Sequence, residues 1–287
     1  MKAILCKEYG PAETLVIEDV PSPKMGDRGV KIRVKAAGLN FPDTLIIEGK
    51  YQLQPPMPFS PGGELAGEVI EVGDKVTRFK PGDRVAALTG FGAFAEEVVA
   101  PESNLLPVPD NMPDEKAAGF MMVYGTSYYA LKQRANLQPG ETLLVLGASG
   151  GVGLAAVELG KAMGAKVIAA ASSSEKLRIA KDAGADELIN YTDEPLKDAV
   201  KSLTRGKGVD VIYDPVGGDF TEQALRTMAW NGRHLIIGFA AGDIPKVPAN
   251  LTLLKGCSVV GVFWGAFTRN EPEVSAQNMM ELLQMYS

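Results

Sequence analysis

The segment Thr142–Met163, TLLVLGASGGVGLAAVELGKAM, constrains the fold more than any other part of this chain. TLLVL is a short apolar run without alternation, as in a strand covered on both faces. The glycine loop GASGGVG ends it. From Gly151 onward Val152, Ala155, Ala156, Leu159 and Met163 recur at helical spacing and form one buried stripe. The same rhythm then repeats. AKVIAAA reads as a strand, 175–183 as a helix, DELIN as a strand, 194–204 as a helix, GVDVIYDPV as a strand, 219–229 as a helix and RHLIIGF as a strand, with CSVVGVFW one more. Alternating strands and helices of this kind predict a doubly wound parallel sheet, a Rossmann domain.

The residues before this region follow another pattern. MKAILC, TLVIEDV, GVKIRVKAAGLN, GELAGEVIEVG, DRVAAL and AFAEEVVA are short β-like runs punctuated by Gly, Pro, Asp and Asn. In VKIRVKA, Val30, Ile32 and Val34 share one face and Lys31, Arg33 and Lys35 the other, so one face is dry and one wet. An irregular β-barrel is expected, followed by a helix over PDEKAAGFMMVYGTSYYALKQRAN. The predicted fold class is α/β, with a β-barrel domain at 1–122 and a parallel-sheet domain at 123–260.

Composition narrows the function. A net charge of −6 with no basic cluster argues against nucleic acid as a partner. No stretch supplies the roughly 18 uncharged apolar residues of a membrane span. Cys6 and Cys257 are too few for a disulfide framework or a thiolate zinc site, which fits a reducing, cytoplasmic setting.

The glycine loop matches G-x-G-x-x-G at Gly150 and Gly153, with Ala148 at the first position and Gly147 one residue early. Gly150 permits close backbone approach to a pyrophosphate, and Gly153 close helix–strand packing. N–H groups opening the helix then face the phosphates. The second strand selects the dinucleotide. An NAD site places an acid near its end, whereas here Ala170 and Ala171 are followed by Ser172, Ser173 and Ser174. Ser172 and Glu175 have the spacing of a capping box at the next helix. Small hydroxyls with Lys176 suit a 2′-phosphate, so NADPH is the expected cofactor. A solvated helix lysine is the other reading of Lys176.

The stretches AAGLNFPDTLIIEGKY, GGELAGEVIEVG, FKPGDRV, GASGGVGLAAVELGKAMGAKVIA and GADELINY occur in order and resemble the zinc-independent medium-chain reductases, nearest the NADPH:quinone oxidoreductase and zeta-crystallin group. The resemblance implies a GroES-like catalytic domain at 1–122 completed by 261–287, a Rossmann domain at 123–260 and a homodimer. It also implies that the chain, which ends at Ser287 inside an amphipathic helix, stops short of the elements that complete the catalytic domain. Related zinc-dependent alcohol dehydrogenases carry Cys-His where this chain has Asn40-Phe41, and Gly-His-Glu where it has Gly62-Gly63-Glu64. His234 is the only histidine, so a catalytic zinc lacks its ligands, and Asp43 and Glu64 are expected to make structural hydrogen bonds.

By that resemblance Asn40 lies by the nicotinamide or the acceptor oxygen, Thr126 near the nicotinamide, and Ser149, Gly150, Gly151 and Val152 at the pyrophosphate. Ser172, Lys176 and Tyr191 surround the 2′-phosphate, and Phe239 lies beside the cofactor. Phe263 and Trp264 border the acceptor pocket or belong to the core or a dimer interface. A turn cap is the other reading of Asn40. Tyr51 corresponds to a tyrosine that donates a proton in enoyl thioester reductases and lines the pocket in quinone reductases. The implied activity is metal-free reduction of a quinone by hydride or electron transfer. Reduction of an activated carbon–carbon double bond in an enone or enoyl thioester is the alternative, and non-catalytic NADPH binding of the crystallin kind is a third.

Overall fold

Val30 and Ile32 are fully buried and Arg33 and Lys35 exposed, so the alternation read in the sequence is the pleat of a real strand. The computed structural model describes residues 1–287. Its chain divides into one unit of Met1–Met122 with Met279–Ser287, and a second of Val123–Asn278.

The first unit contains β1 (Lys2–Leu5), β2 (Val16–Asp19), β3 (Gly29–Gly38), α1 (Phe41–Ile47), β4 (Glu64–Val72), β5 (Arg84–Leu88), β6 (Glu97–Pro101), β7 (Leu105–Pro107) and α2 (Asp114–Ala118). β1 and β2 form an antiparallel ribbon, and the other strands an antiparallel sheet in the order β6-β3-β4-β5-β7. Val30, Ile32, Leu65, Val69, Val85, Ala87 and Val98 fill its core. A smaller cluster of Cys6, Ile46, Ile47 and Phe59 lies under α1.

The second unit contains most of α3 (Met121–Tyr129), then β8 (Thr142–Leu146), α4 (Gly151–Ala162), β9 (Lys166–Ala171), α5 (Ser174–Asp182), β10 (Glu187–Asn190), α6 (Leu196–Leu203), β11 (Val209–Asp214), α7 (Asp219–Leu225), β12 (Met228–Ile236), α8 (Ala249–Lys255), β13 (Ser258–Gly261), α9 (Trp264–Asn270) and the start of α10 (Pro272–Tyr286). Its sheet is parallel throughout, in the order β10-β9-β8-β11-β12-β13. Strand order reverses between β8 and β11, and ligands of open α/β sheets bind at the carboxyl ends flanking such a reversal. No helix is long and apolar enough to cross a membrane.

Three boundaries differ from the sequence reading. The single helix expected after Pro113 is broken at Gly119-Phe120 into α2 and α3 and ends in a wide turn over Ala130–Arg134. The helix expected to reach 229 stops at Leu225, because Met228 already pairs with Val209 in the sheet. Residues 261–278, placed with the barrel from the sequence, lie in the second unit, where Phe267 of α9 stacks on Tyr129 at 4.0 Å.

Candidate nucleotide and acceptor site

The glycine loop is built from the end of β8. Gly147 turns the chain with φ +57° and its carbonyl accepts the Gly150 N–H at 3.0 Å. Ala148 is buried and ties the loop to β9 through its N–H and the Ala170 carbonyl, 3.2 Å apart. The Leu154 N–H closes the first turn of α4 onto Gly150, so the N–H groups of Gly151, Val152 and Gly153 precede any intrahelical acceptor. A Cβ at Gly153 would stand 2.3 Å from the Gly147 oxygen, so only glycine lets helix and loop approach this closely. A Cβ at Gly150 would meet only that oxygen, at 3.4 Å, and points otherwise into open space. Three free donors, a positive helix end and open room form a cradle that fits a diphosphate.

A buried relay holds this cradle. Ser127 Oγ donates to the Val152 carbonyl at 2.9 Å and lies 2.8 Å from the Tyr213 hydroxyl. Serine has one proton to give, so Tyr213 donates to Ser127. Complete burial pushes the Tyr213 phenol well above its ordinary range, partly offset by Ser127, and it stays protonated. Nothing in the sequence marked this pair.

At the end of β9 the structure brings Ser172 and Lys176 together, with Lys176 Nζ donating to Ser172 Oγ at 3.0 Å. The helix cap differs from the sequence reading. Ser173, not Ser172, caps α5 by accepting the Lys176 N–H at 3.3 Å, because the first helical residue is Ser174. Ser172 and Glu175 therefore form no capping box, and the Ser172 hydroxyl faces the lysine instead. Tyr191 follows β10, bonds the Ala171 carbonyl through its N–H and packs on Phe220, with ring centroids 4.5 Å apart. The strand ends in Ala170 and Ala171 with no carboxylate, while Ser172 and Lys176 offer a hydroxyl and a cation. These groups fit a 2′-phosphate better than a ribose diol.

Beyond β11, Asp214 organises the adjoining loop. One carboxylate oxygen accepts the N–H of Val216 at 3.0 Å and of Gly217 at 2.9 Å; the other accepts Thr221 Oγ1 at 2.7 Å and meets His234 Nε2 at 3.0 Å. Burial raises this carboxyl, but His234 and the other donors outweigh it and hold it below its usual range. His234 Nδ1 is buried without a hydrogen-bond partner. His234 ties β12 to β11 through Asp214. Phe239 covers Gly217, where an added Cβ would lie 3.0 Å from its ring. Thr126 is half-buried on α3, and Trp264 is buried at the start of α9, whereas Phe263 just before it is exposed.

In the first unit Asn40 opens α1. Its N–H donates to Asp43 Oδ2 at 2.8 Å, one half of a capping box with Asp43, and its Nδ2 donates to Glu64 Oε1 at 2.9 Å. Glu64 Oε2 accepts the Met122 N–H at 3.0 Å. Glu64 is 1% and Asp43 3% exposed. Burial pushes Glu64 up to about 7; the bonds from Asn40 and Met122 oppose this and the Asp43 charge adds to it. Burial also raises Asp43, against the bonds from Asn40 and Gly63. Tyr51 is half-buried and packs against the cluster of Ile46, Ile47, Phe59 and Cys6. No three His, Cys, Asp or Glu side chains gather in a metal-holding group.

A family model described as alcohol dehydrogenase GroES-like domain matches residues 26–110, and one described as zinc-binding dehydrogenase matches 151–284. A protein of Nematostella vectensis named quinone oxidoreductase-like protein 2 homolog is 45% identical over 288 residues, covering 99% of this chain and 78% of the relative. The crystal structure of a Pseudomonas syringae quinone oxidoreductase superposes with a TM-score of 0.92 at 38% identity, over 99% of this chain and 88% of that one. The structure of Escherichia coli quinone oxidoreductase complexed with NADPH gives 0.91 at 30% identity, over 99% and 87%.

Proposed function

The chain belongs to the zinc-independent medium-chain dehydrogenases/reductases of the quinone oxidoreductase type, and from that premise we propose that it reduces quinones with NADPH. The observation that carries the reading is the paired cradle: free N–H groups at the start of α4, and Ser172 with Lys176 at an acid-free end of β9. Gly151, Val152 and Gly153 bind the diphosphate, with Ser149 beside them. Ser172, Lys176 and Tyr191 hold the 2′-phosphate. Thr126 and Phe239 orient the nicotinamide, and Trp264 with Phe263 borders the acceptor. In the first unit Asn40 directs its carboxamide to the nicotinamide or acceptor oxygen, and Tyr51 lines the acceptor side. Bound NADPH supplies a hydride, which an electron-poor acceptor takes up without Lewis-acid help. The protein contributes orientation and hydrogen bonds.

The apolar surface of the second unit supports a homodimer. Trp230, Leu253 and Leu254 are 72%, 78% and 68% exposed, and β13 has a sheet neighbour on one side only. Two unpaired cysteines, one buried, support a reducing cytoplasmic setting.

NADPH consumption with 9,10-phenanthrenequinone and with an enoyl thioester, measured in parallel, tests the function. Quinone turnover is expected. Turnover of the thioester alone replaces it with carbon–carbon double-bond reduction, and tryptophan quenching by NADPH with no turnover replaces it with simple binding.

A further inference from the structure

We propose that Glu64 is a positioning residue for Asn40: its carboxylate dictates which end of the Asn40 carboxamide faces away from it, and its protonation reverses that choice. The inference rests on the role given to Asn40 above. An ionised carboxylate only accepts, so Asn40 must turn Nδ2 toward Glu64 Oε1, as it does at 2.9 Å, and Oδ1 faces away. The Met122 N–H occupies Oε2 at 3.0 Å, so a proton taken from solvent settles on Oε1. The new O–H then needs an acceptor, and a half-turn of the amide supplies Oδ1. Both amide N–H groups are thereby released to the other side. One O–H bond forms, and nothing is oxidised or reduced.

The surroundings make this a two-position device. Asp43 pins the Asn40 backbone separately, at 2.8 Å, so the start of α1 keeps that half of its capping box when the side chain turns. Gly38 makes the room, since a Cβ there would lie 2.7 Å from Glu64 Oε1. The charged groups on the neighbouring elements are otherwise engaged. Lys31 and Lys35 of β3 pair with Glu71 and Glu68 of β4, and Arg84 of β5 pairs with Asp114 of α2. Arg33 of β3 and Glu115 of α2 are exposed, Lys116 lies over the Tyr286 ring, and α3 carries no charge. Only Asp43 acts on Glu64, with the same sign as burial, and together they hold it up to about 7. The reversal therefore falls in the working pH range.

An acceptor oxygen gains negative charge on reduction, so the amide-outward, neutral form favours turnover. Wild-type kcat with NADPH and 9,10-phenanthrenequinone is expected to fall about tenfold between about pH 6 and about pH 8, the scale of one lost hydrogen bond to a charged group. Glu64→Gln, permanently neutral and of the same shape, is expected to stay flat at the low-pH level. A limb of wild-type size in Glu64→Gln overturns the proposal. A second arm needs neither turnover nor that variant. Infrared titration of isotope-labelled glutamate carboxyls in the ligand-free protein is expected to show one group with a midpoint near 7, moving upward in Asn40→Ala, which removes one of its two donors. A midpoint indifferent to Asn40→Ala also overturns it. Absence of quinone turnover in wild type defeats the function proposed above, while the infrared arm still decides the Glu64–Asn40 coupling.

Discussion

Gly150 and Gly153 differ in what a single methyl group would do, and the difference separates binding from packing. In Gly153→Ala the new Cβ lies 2.3 Å from the Gly147 oxygen and 3.0 Å from the Ala148 Cα, both backbone atoms that cannot swing aside. Ordinary carbon–oxygen contact is about 3.3 Å, so helix and loop must separate by about an ångström. Such overpacking costs about 1–3 kcal/mol, and the helix preference of alanine returns up to about 1. A net loss of about 1–2 kcal/mol lowers Tm by roughly 2–8 °C in a protein of this size. In Gly150→Ala the backbone has φ −77° and ψ 163°, open to any residue, and the Cβ meets only the Gly147 oxygen at 3.4 Å. Its stability cost is that of a poorer N-cap, about 1 kcal/mol or less. The methyl nevertheless stands where the diphosphate must approach, so NADPH affinity is expected to drop at least about tenfold, or about 1.4 kcal/mol. Calorimetric melting and a tryptophan-fluorescence titration with NADPH measure the two effects. Unchanged NADPH affinity in Gly150→Ala refutes the cradle as the diphosphate site, and unchanged melting of Gly153→Ala refutes the packing argument.

Other outcomes follow from the same structure. Lys176→Ala is expected to weaken NADPH binding about tenfold and leave NADH unchanged, a hydrogen bond to a charged group being worth about 1.5 kcal/mol; equal losses for both coenzymes contradict the 2′-phosphate assignment. Glu64 has its carboxyl raised from 4.5 to about 7, so the folded state holds the extra proton and stability falls as pH rises through that window, levelling above it. The full span is about 3 kcal/mol, so the urea midpoint of Glu64→Gln should gain on wild type between about pH 5 and about pH 8, and a constant difference speaks against the buried neutral carboxyl. Asp214, Glu141 and Asp186 are shifted the other way, so their contribution is lost only in more acidic solution, as pH falls through their lowered values. Leu253→Glu with Leu254→Glu is expected to halve the light-scattering mass of the homodimer proposed above, and an unaltered dimer mass removes α8 from the proposed contact.

The parallel sheet was legible because its strands are unbroken apolar runs and its helices carry single stripes; both follow from burial, which the sequence records locally. NFPD spells the start of α1, with Asn40 at the cap, a proline in the first turn and Asp43 reaching back to the Asn40 N–H, but seven residues carry too little periodicity to show the helix itself. The α5 cap was read one residue early because three consecutive serines offer the same chemistry, and only the backbone decides that Ser173 is the last extended residue. The Glu64 site was beyond local reading. It joins Gly38, Asn40, Glu64 and Met122, whose proximity depends on the β3–β4 pairing and the position of α3. Ser127 and Tyr213 are 86 positions apart and meet for the same reason.

The reversal of strand order leaves a mark on biosynthesis. β8 lies between β9, which follows it directly, and β11, which begins only at Val209. A nascent chain that has released β8, β9 and β10 presents the open flank of β8, a row of unpaired amides beside Leu143, Leu144 and Val145, until the ribosome delivers its missing neighbour. During that interval the flank is open to pairing with another chain, and slowing translation just before Val209 would lengthen it.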